Sequence, residues 1–184
     1  DSMIYLWRLN SREPANSYDT GSPVFCMCVM PVIEENVAVD DRSLADVLLA
    51  GTQKGRLWVL ALPLLSSNNE SAFWEGFSVE AGECGVSSVQ VAWGFVYAGL
   101  TDGRVKTWAV EMRKDKSTLA SPIKMVNLLP VQSVQVHAGP VTCLAYTGGC
   151  LFSASYDFSI LPWVAPDRMQ AKTAANFSQS YREG

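Results

Sequence analysis

VHAGPVTCLAYTGGCLFSASYDFSILPW, residues 136–163, decides the fold. It holds two short apolar runs, PVTCLAY (140–146) and LFSAS (151–155), then a tight turn at Asp157-Phe158 and a third run closing on Trp163. Runs of this length, rich in β-branched and aromatic residues and separated by turn residues, are strands. Moving outward, the same unit recurs as LLAGTQKGRLWVL (48–60) and VYAGLTDGRVKTW (96–108), and in part as DSMIYLW (1–7). In register, the turn carries Asp1-Ser2, Lys54-Gly55, Asp102-Gly103 and Asp157-Phe158, and the closing position holds Trp7, Leu60, Trp108 and Trp163. A small residue, Gly51, Gly99 or Ala154, lies three positions before the turn. Lys-Gly and Asp-Gly between apolar runs are hairpin signals, because glycine accepts positive φ.

Each unit is preceded by another β-like stretch: PVFCMCV (23–29), VSSVQVAW (86–93) and PVTCLAY (140–146). In the second, Val86, Val89, Val91 and Trp93 read as strand, with the alternation broken at Ser87-Ser88. Each is followed by a more polar one, such as FWEGFSVEAG (73–82) or SVQVHAG (133–139). The repeating order is therefore inner strand, second strand, tight turn, third strand, outer strand. The expected class is all-β, with four-stranded antiparallel meanders in series. Such sheets bury both faces only by stacking radially, which is the propeller solution. The units expected are 1–20 (partial), 21–82, 83–135 and 136–165, about three full blades plus one partial. Residues 166–184 read as a polar tail or linker. Unit spacing is somewhat above the ~40–45 residues of a propeller blade, the surplus lying in loops.

Residues 136–163 resemble a WD repeat of the WD-40-type β-propeller family. His137 stands at the family's glycine-histidine, Val136 replacing the glycine; Ser153 or Ser155 is the second-strand hydroxyl, Asp157 the turn aspartate and Trp163 the third-strand tryptophan. The resemblance implies a hydrogen-bonded chain from tryptophan through serine and histidine to aspartate. It departs from the family at Val164, where an aspartate is usual, and at Pro162 within the third strand. The 86–108 unit keeps Asp102 and Trp108 but has no histidine, and Ala98 and Leu100 replace the hydroxyls. The 23–60 unit keeps Gly51, the Lys54-Gly55 turn and the apolar run. Because the family usually has seven blades, a segment of a longer propeller is expected. LPLL (62–65) followed by residues 86–110 is also similar to plant-type proteins that join CCCH zinc fingers to a WD propeller. An RNA-associated propeller is therefore the alternative function.

The resemblance implies a non-catalytic scaffold for protein or peptide partners. It places partners on the face carrying the tight turns and incoming loops, here Lys54, Glu83, Asp102, Arg104 and Tyr156. Composition agrees with that class. A net charge of −4 with scattered basic residues does not make the basic face that nucleic acid or anionic membranes require. No apolar run reaches the roughly 20 residues of a membrane span. Five cysteines, an odd number set in β-like runs or beside glycine, read as reduced thiols of a cytoplasmic or nuclear protein.

The chemical alternatives are weaker. His137 is the sole histidine, so nucleophilic triads lack a base elsewhere, and it is read as structural. Cys26-x-Cys28 has no second spaced pair, so no metal is assigned and no cofactor is called for. Asp102 and Asp157 occupy turn positions where aspartate is favoured. Gly51 to Gly55 lacks phosphate-loop spacing. Trp58, Trp74 and Trp93 have no fixed place in the repeat and are read as core, with interface anchors the other reading. The acidic loop 31–46, with Glu34, Glu35, Asp40, Asp41 and Arg42, is read as a solvated insertion.

Overall fold

A computed structural model describes residues 1–7, 12–30, 47–61, 76–112, 126–147 and 149–164. Every regular element among them is a strand. A leading pair, β1 (Met3–Trp7) and β2 (Pro14–Asp19), precedes two four-stranded sheets. The first holds β3 (Val24–Met30), β4 (Val47–Thr52), β5 (Arg56–Ala61) and β6 (Gly76–Glu80). The second holds β7 (Val86–Ala92), β8 (Phe95–Leu100), β9 (Arg104–Met112) and β10 (Val126–Gln135). A third sheet holds β11 (Val141–Thr147), β12 (Cys150–Ser155) and β13 (Ile160–Trp163). All pairings are antiparallel and follow chain order, so each sheet is a meander.

The all-β repeat holds, and several local expectations change. Among the described residues the 136–165 unit shows three strands, β11 to β13. The outer strand of the middle unit is Val126–Gln135, so it begins before residue 133, and Val136–Gly139 is the loop beyond it. Trp93 is not strand. With Gly94 it forms the two-residue β7–β8 turn, both at positive φ (52° and 76°). That backbone is strained for a bulky side chain. The Trp93 ring packs edge-on against Tyr146 and Tyr97, with centroids 4.9 and 6.3 Å away. Trp58 is half-buried against Tyr18, and its indole nitrogen has no hydrogen-bond partner among the described residues. Trp74, the 31–46 loop, residues 62–65 and the 166–184 tail lie outside the described residues.

Successive sheets pack face to face: β7 lies across β3 and β4, and β11 across β7 and β8. Equivalent residues make the equivalent contact. Ile4, Leu57 and Val105, third-strand residues three places before the closing position, are each at most 4% exposed, against the next sheet. The recurring small residue also has its reason here. A Cβ on Gly51 would stand 2.5 Å from a Val86 γ-carbon, and one on Gly99 would stand 2.5 Å from a Val141 γ-carbon. The second strand of one sheet thus yields room to the first strand of the next, and those valines are fully buried. Burying a valine side chain contributes about 1.5–3 kcal/mol.

One feature recurs in all three inner strands. The register shifts between Val24 and Cys26, between Val86 and Ser88, and between Val141 and Cys143. A bulge inserts one residue and rephases the side chains that follow. The broken alternation at Ser87-Ser88 is this bulge. Ser87 donates to the Gly99 and Val141 carbonyls, and the Ser88 hydroxyl accepts from the Leu144 N–H at 2.9 Å. The bulge is therefore tied to the neighbouring sheet.

Candidate functional site

The third sheet carries a polar chain beneath its tight turn. Trp163 Nε1 donates to Ser153 Oγ at 2.8 Å, and Ser153 Oγ lies 2.8 Å from His137 Nε2. On the other side of the ring, Nδ1 is 3.1 Å from Asp157 Oδ2 and 2.9 Å from Ser159 Oγ. The donors fix the direction. Ser153 already accepts the indole N–H, so its one proton goes to Nε2, and the neutral ring carries its proton on Nδ1, facing the carboxylate. His137 and Ser153 are buried, so every polar atom there needs its partner.

Ser155, offered with Ser153 as the second-strand hydroxyl, does not reach the imidazole. It donates to the Gly139 carbonyl and accepts from the Asp157 N–H. Its Cβ alternates to the opposite side of the turn region and meets the incoming loop. Ser159 is the member that sequence reasoning missed. Its hydroxyl donates to Asp157 Oδ1 at 2.6 Å, and its N–H does so at 2.9 Å. A serine two places after a turn aspartate is the available signal, since aspartate side chains accept from the backbone two residues on.

Asp157 also accepts from the Ala138 N–H at 2.9 Å. The Ser159 hydroxyl above all, then the Ser159 and Ala138 N–H groups and the imidazole, outweigh desolvation and hold its carboxyl well below the usual range. The sign follows from linkage. A carboxyl depressed on folding stabilises the fold above its unfolded pKa, and that contribution is lost as pH falls through the folded value. Stability should therefore decline as pH drops below about 4, the ordinary aspartate value. Asp157→Asn should flatten that part of the profile, as read by thermal melts across an acid series. An unchanged acid slope would remove Asp157 from the account.

The other units build the same turn without an imidazole. Asp102 Oδ1 accepts from the Arg104 N–H at 3.1 Å, and its other oxygen is 3.6 Å from Arg104 Nε. Gln135 braces the turn, donating to the Asp102 and His137 carbonyls. Trp108 is buried, whereas Trp7, aligned with it by register, is 54% exposed; among the described residues β1 pairs with β2 alone. Gly55 and Gly103 adopt φ of 71° and 89° in their turns.

The five residues assigned to a partner face fall on these turns and on the loops that meet them. Three repeated bonds pin turn to loop: Gln53 N–H to the Pro23 carbonyl, Thr101 N–H to that of Gly85, and Tyr156 N–H to that of Pro140, at 2.8, 2.9 and 3.1 Å. Lys54, Glu83, Asp102, Arg104 and Tyr156 are all exposed, at the same end of successive sheets. The turn of the third sheet is aromatic, with Tyr156 and Phe158; those of the first two are charged. Cys26 and Cys28 both face the second sheet, and burial pushes the Cys26 thiol up to about 12. Among the described residues, no group of three His, Cys, Asp or Glu side chains converges, and no helix is long and apolar enough to cross a membrane.

No family model and no curated protein matches the chain. Solved structures do. The computationally designed Ika4 protein aligns over 90% of this chain and 81% of its own, at 15% identity and a TM-score of 0.58. The WD40 beta propeller domain of Doa1 aligns over 78% of this chain and 38% of its own, at 18% identity and a TM-score of 0.50. A chain of the Chaetomium thermophilum Polycomb Repressive Complex 2 bound to GSK126 aligns over 89% and 31%, at 13% identity and a TM-score of 0.56. This chain thus spans less than half the length of the last two. At these identities the likeness shows the fold, that of a WD40-type β-propeller segment.

Proposed function

We propose that this chain is a non-catalytic scaffold whose turn-and-loop face binds a protein or peptide partner. The observation that carries the reading is the rigid presentation of exposed side chains from three successive sheets at one end. Each turn is locked to its incoming loop by a backbone hydrogen bond, so the face is ordered before any partner arrives. Preorganisation lowers the entropic cost of docking. Large aromatic and arginine side chains are the residue types that dominate interface energies, and Tyr156 and Arg104 supply one of each. The WD40 fold of the neighbours supports an interaction role at that level.

The test is the triple replacement of Lys54, Arg104 and Tyr156 by alanine. All three are exposed, so stability should change by no more than about 0.5 kcal/mol per site. Co-purification of partner proteins should be lost while the melting temperature holds. An unaltered pull-down profile from the triple variant would move the binding surface elsewhere.

A further inference from the structure

The residue skipped at the register shift of each inner strand is Phe25, Ser87 or Thr142. Ser87 uses its hydroxyl there, bonding to the Gly99 and Val141 carbonyls and tying its own sheet to the next. Phe25 gives up both bonds, and it is 48% exposed. A bulge re-aims the side chain it carries, and this one turns Phe25 with Cys26 toward the second sheet. Cys26 Sγ reaches the Val86 carbonyl, and the Phe25 ring lies against Gly85. The ring therefore stands at the turn-and-loop end, beside the loop whose Gly85 carbonyl holds the Thr101 N–H.

A second residue is fitted to the first. Pro23, Gly85 and Pro140 hold equivalent places, since each carbonyl accepts from the turn of its own sheet. Of the three, only the one beneath Phe25 is glycine. A Cβ on Gly85 would stand 3.0 Å from Phe25 Cε2, 3.4 Å from Cδ2 and 3.2 Å from the Gln53 carbonyl oxygen. Phenylalanine where the other strands have hydroxyls and glycine where the other loops have proline thus form one arrangement. It seats an aromatic ring on backbone at the binding end and forgoes a tie between sheets to do so.

We infer that Phe25 is the apolar anchor of the turn-and-loop face, its free side taking an aliphatic or aromatic side chain of a partner peptide. The inference rests on the reading of that face as the binding surface and names the side chain it selects. Aromatic residues in well-packed positions are where interface energy concentrates. The seat on Gly85 fixes the ring before docking, so little rotamer freedom is lost on binding. Gly85, Cys26 and Gln53 beside it carry no charge, so a charged partner side chain would lose water there without gaining a counter-ion.

The test pans a random-peptide phage library on the whole chain and synthesises the tightest binders, which should share one apolar residue. Replacing that residue with alanine, or Phe25→Ser in the chain, should each weaken binding about tenfold or more. The two together should weaken it no further than either alone, the mark of a direct contact. Phe25→Leu should keep most of the affinity. Phe25→Ser should melt within about 3 °C of the parent, because its hydroxyl takes up the bonds that Ser87 makes. Three results would overturn the proposal: additive losses, undiminished binding to Phe25→Ser, or a much lower melting temperature, which would make the ring core. Peptides kept by Phe25→Ser but lost from the Lys54, Arg104 and Tyr156 variant remove Phe25 and leave the face standing. Peptides kept by both variants move the binding surface itself.

Discussion

His137→Ala should destabilise the fold by about 4 kcal/mol. The substitution leaves the fully buried Ser153 hydroxyl without the acceptor for its proton and removes the donor facing Asp157. Orphaning a buried polar group costs roughly 1–3 kcal/mol, and the cavity left by the ring adds to that. Set against a total stability of about 5–15 kcal/mol, this is a large fraction. Ser155→Ala is the matched control. It removes the bonds to the Gly139 carbonyl and the Asp157 N–H at a partly buried site, and should cost about 1 kcal/mol. Urea denaturation of the three proteins reads the difference. Equal losses for His137→Ala and Ser155→Ala would show that the tryptophan-to-aspartate chain does not act as a unit.

The second large effect is expected at Gly55. A Cβ there would stand 2.0 Å from the Gly82 carbonyl oxygen and 2.7 Å from that of Cys84, both backbone atoms that cannot rotate away. Gly55→Ala therefore meets two costs. The left-handed conformation at φ 71° is worth about 1–2 kcal/mol. Displacing the loop strains or breaks the bonds from the Ala81 and Gly82 N–H groups, each contributing about 1 kcal/mol. Together they predict a loss near 4 kcal/mol, or roughly 8–16 °C in melting temperature for a chain of this size. Gly21→Ala separates the two costs. Gly21 has nearly the same φ, 68°, but nothing within 4 Å of the new methyl, so it should lose only the first. If both variants melt together, the close crossing of loop over turn carries no energy.

Much of this was legible beforehand because it is local. Asp102-Gly103 and Lys54-Gly55 announce hairpins through the φ that glycine alone adopts freely, and the recurring tryptophan sets the unit length. Where local signals conflict, the reading slipped. Trp93 looks like one more apolar strand residue, yet it is held in a turn by two tyrosines, one of them in the next sheet at Tyr146. The outer strand Val126–Gln135 starts earlier than the sequence suggests, because Pro130 interrupts the run at a register shift while Val126 and Leu128 before it are buried. The break in alternation at Ser87-Ser88 is visible in the sequence, but its cause, a bulge bonded to Val141 and Leu144, is not.

The candidate site divides in the same way. His137, Ser153, Asp157 and Trp163 could be picked from residue type and spacing, since a turn aspartate and a strand tryptophan are recognisable along the chain. Choosing Ser153 over Ser155, and adding Ser159, required knowing which way each Cβ points from a twisted strand pair.

Period, turn chemistry and residue size were enough to state that this chain builds antiparallel meanders in series, because those are properties of a few consecutive residues. Which small residue admits which valine and which carbonyl receives the passing loop depend on residues 20 to 60 places apart meeting in space. Only the packed sheets decide that, since a one-residue shift in register would give every one of those contacts to a different side chain.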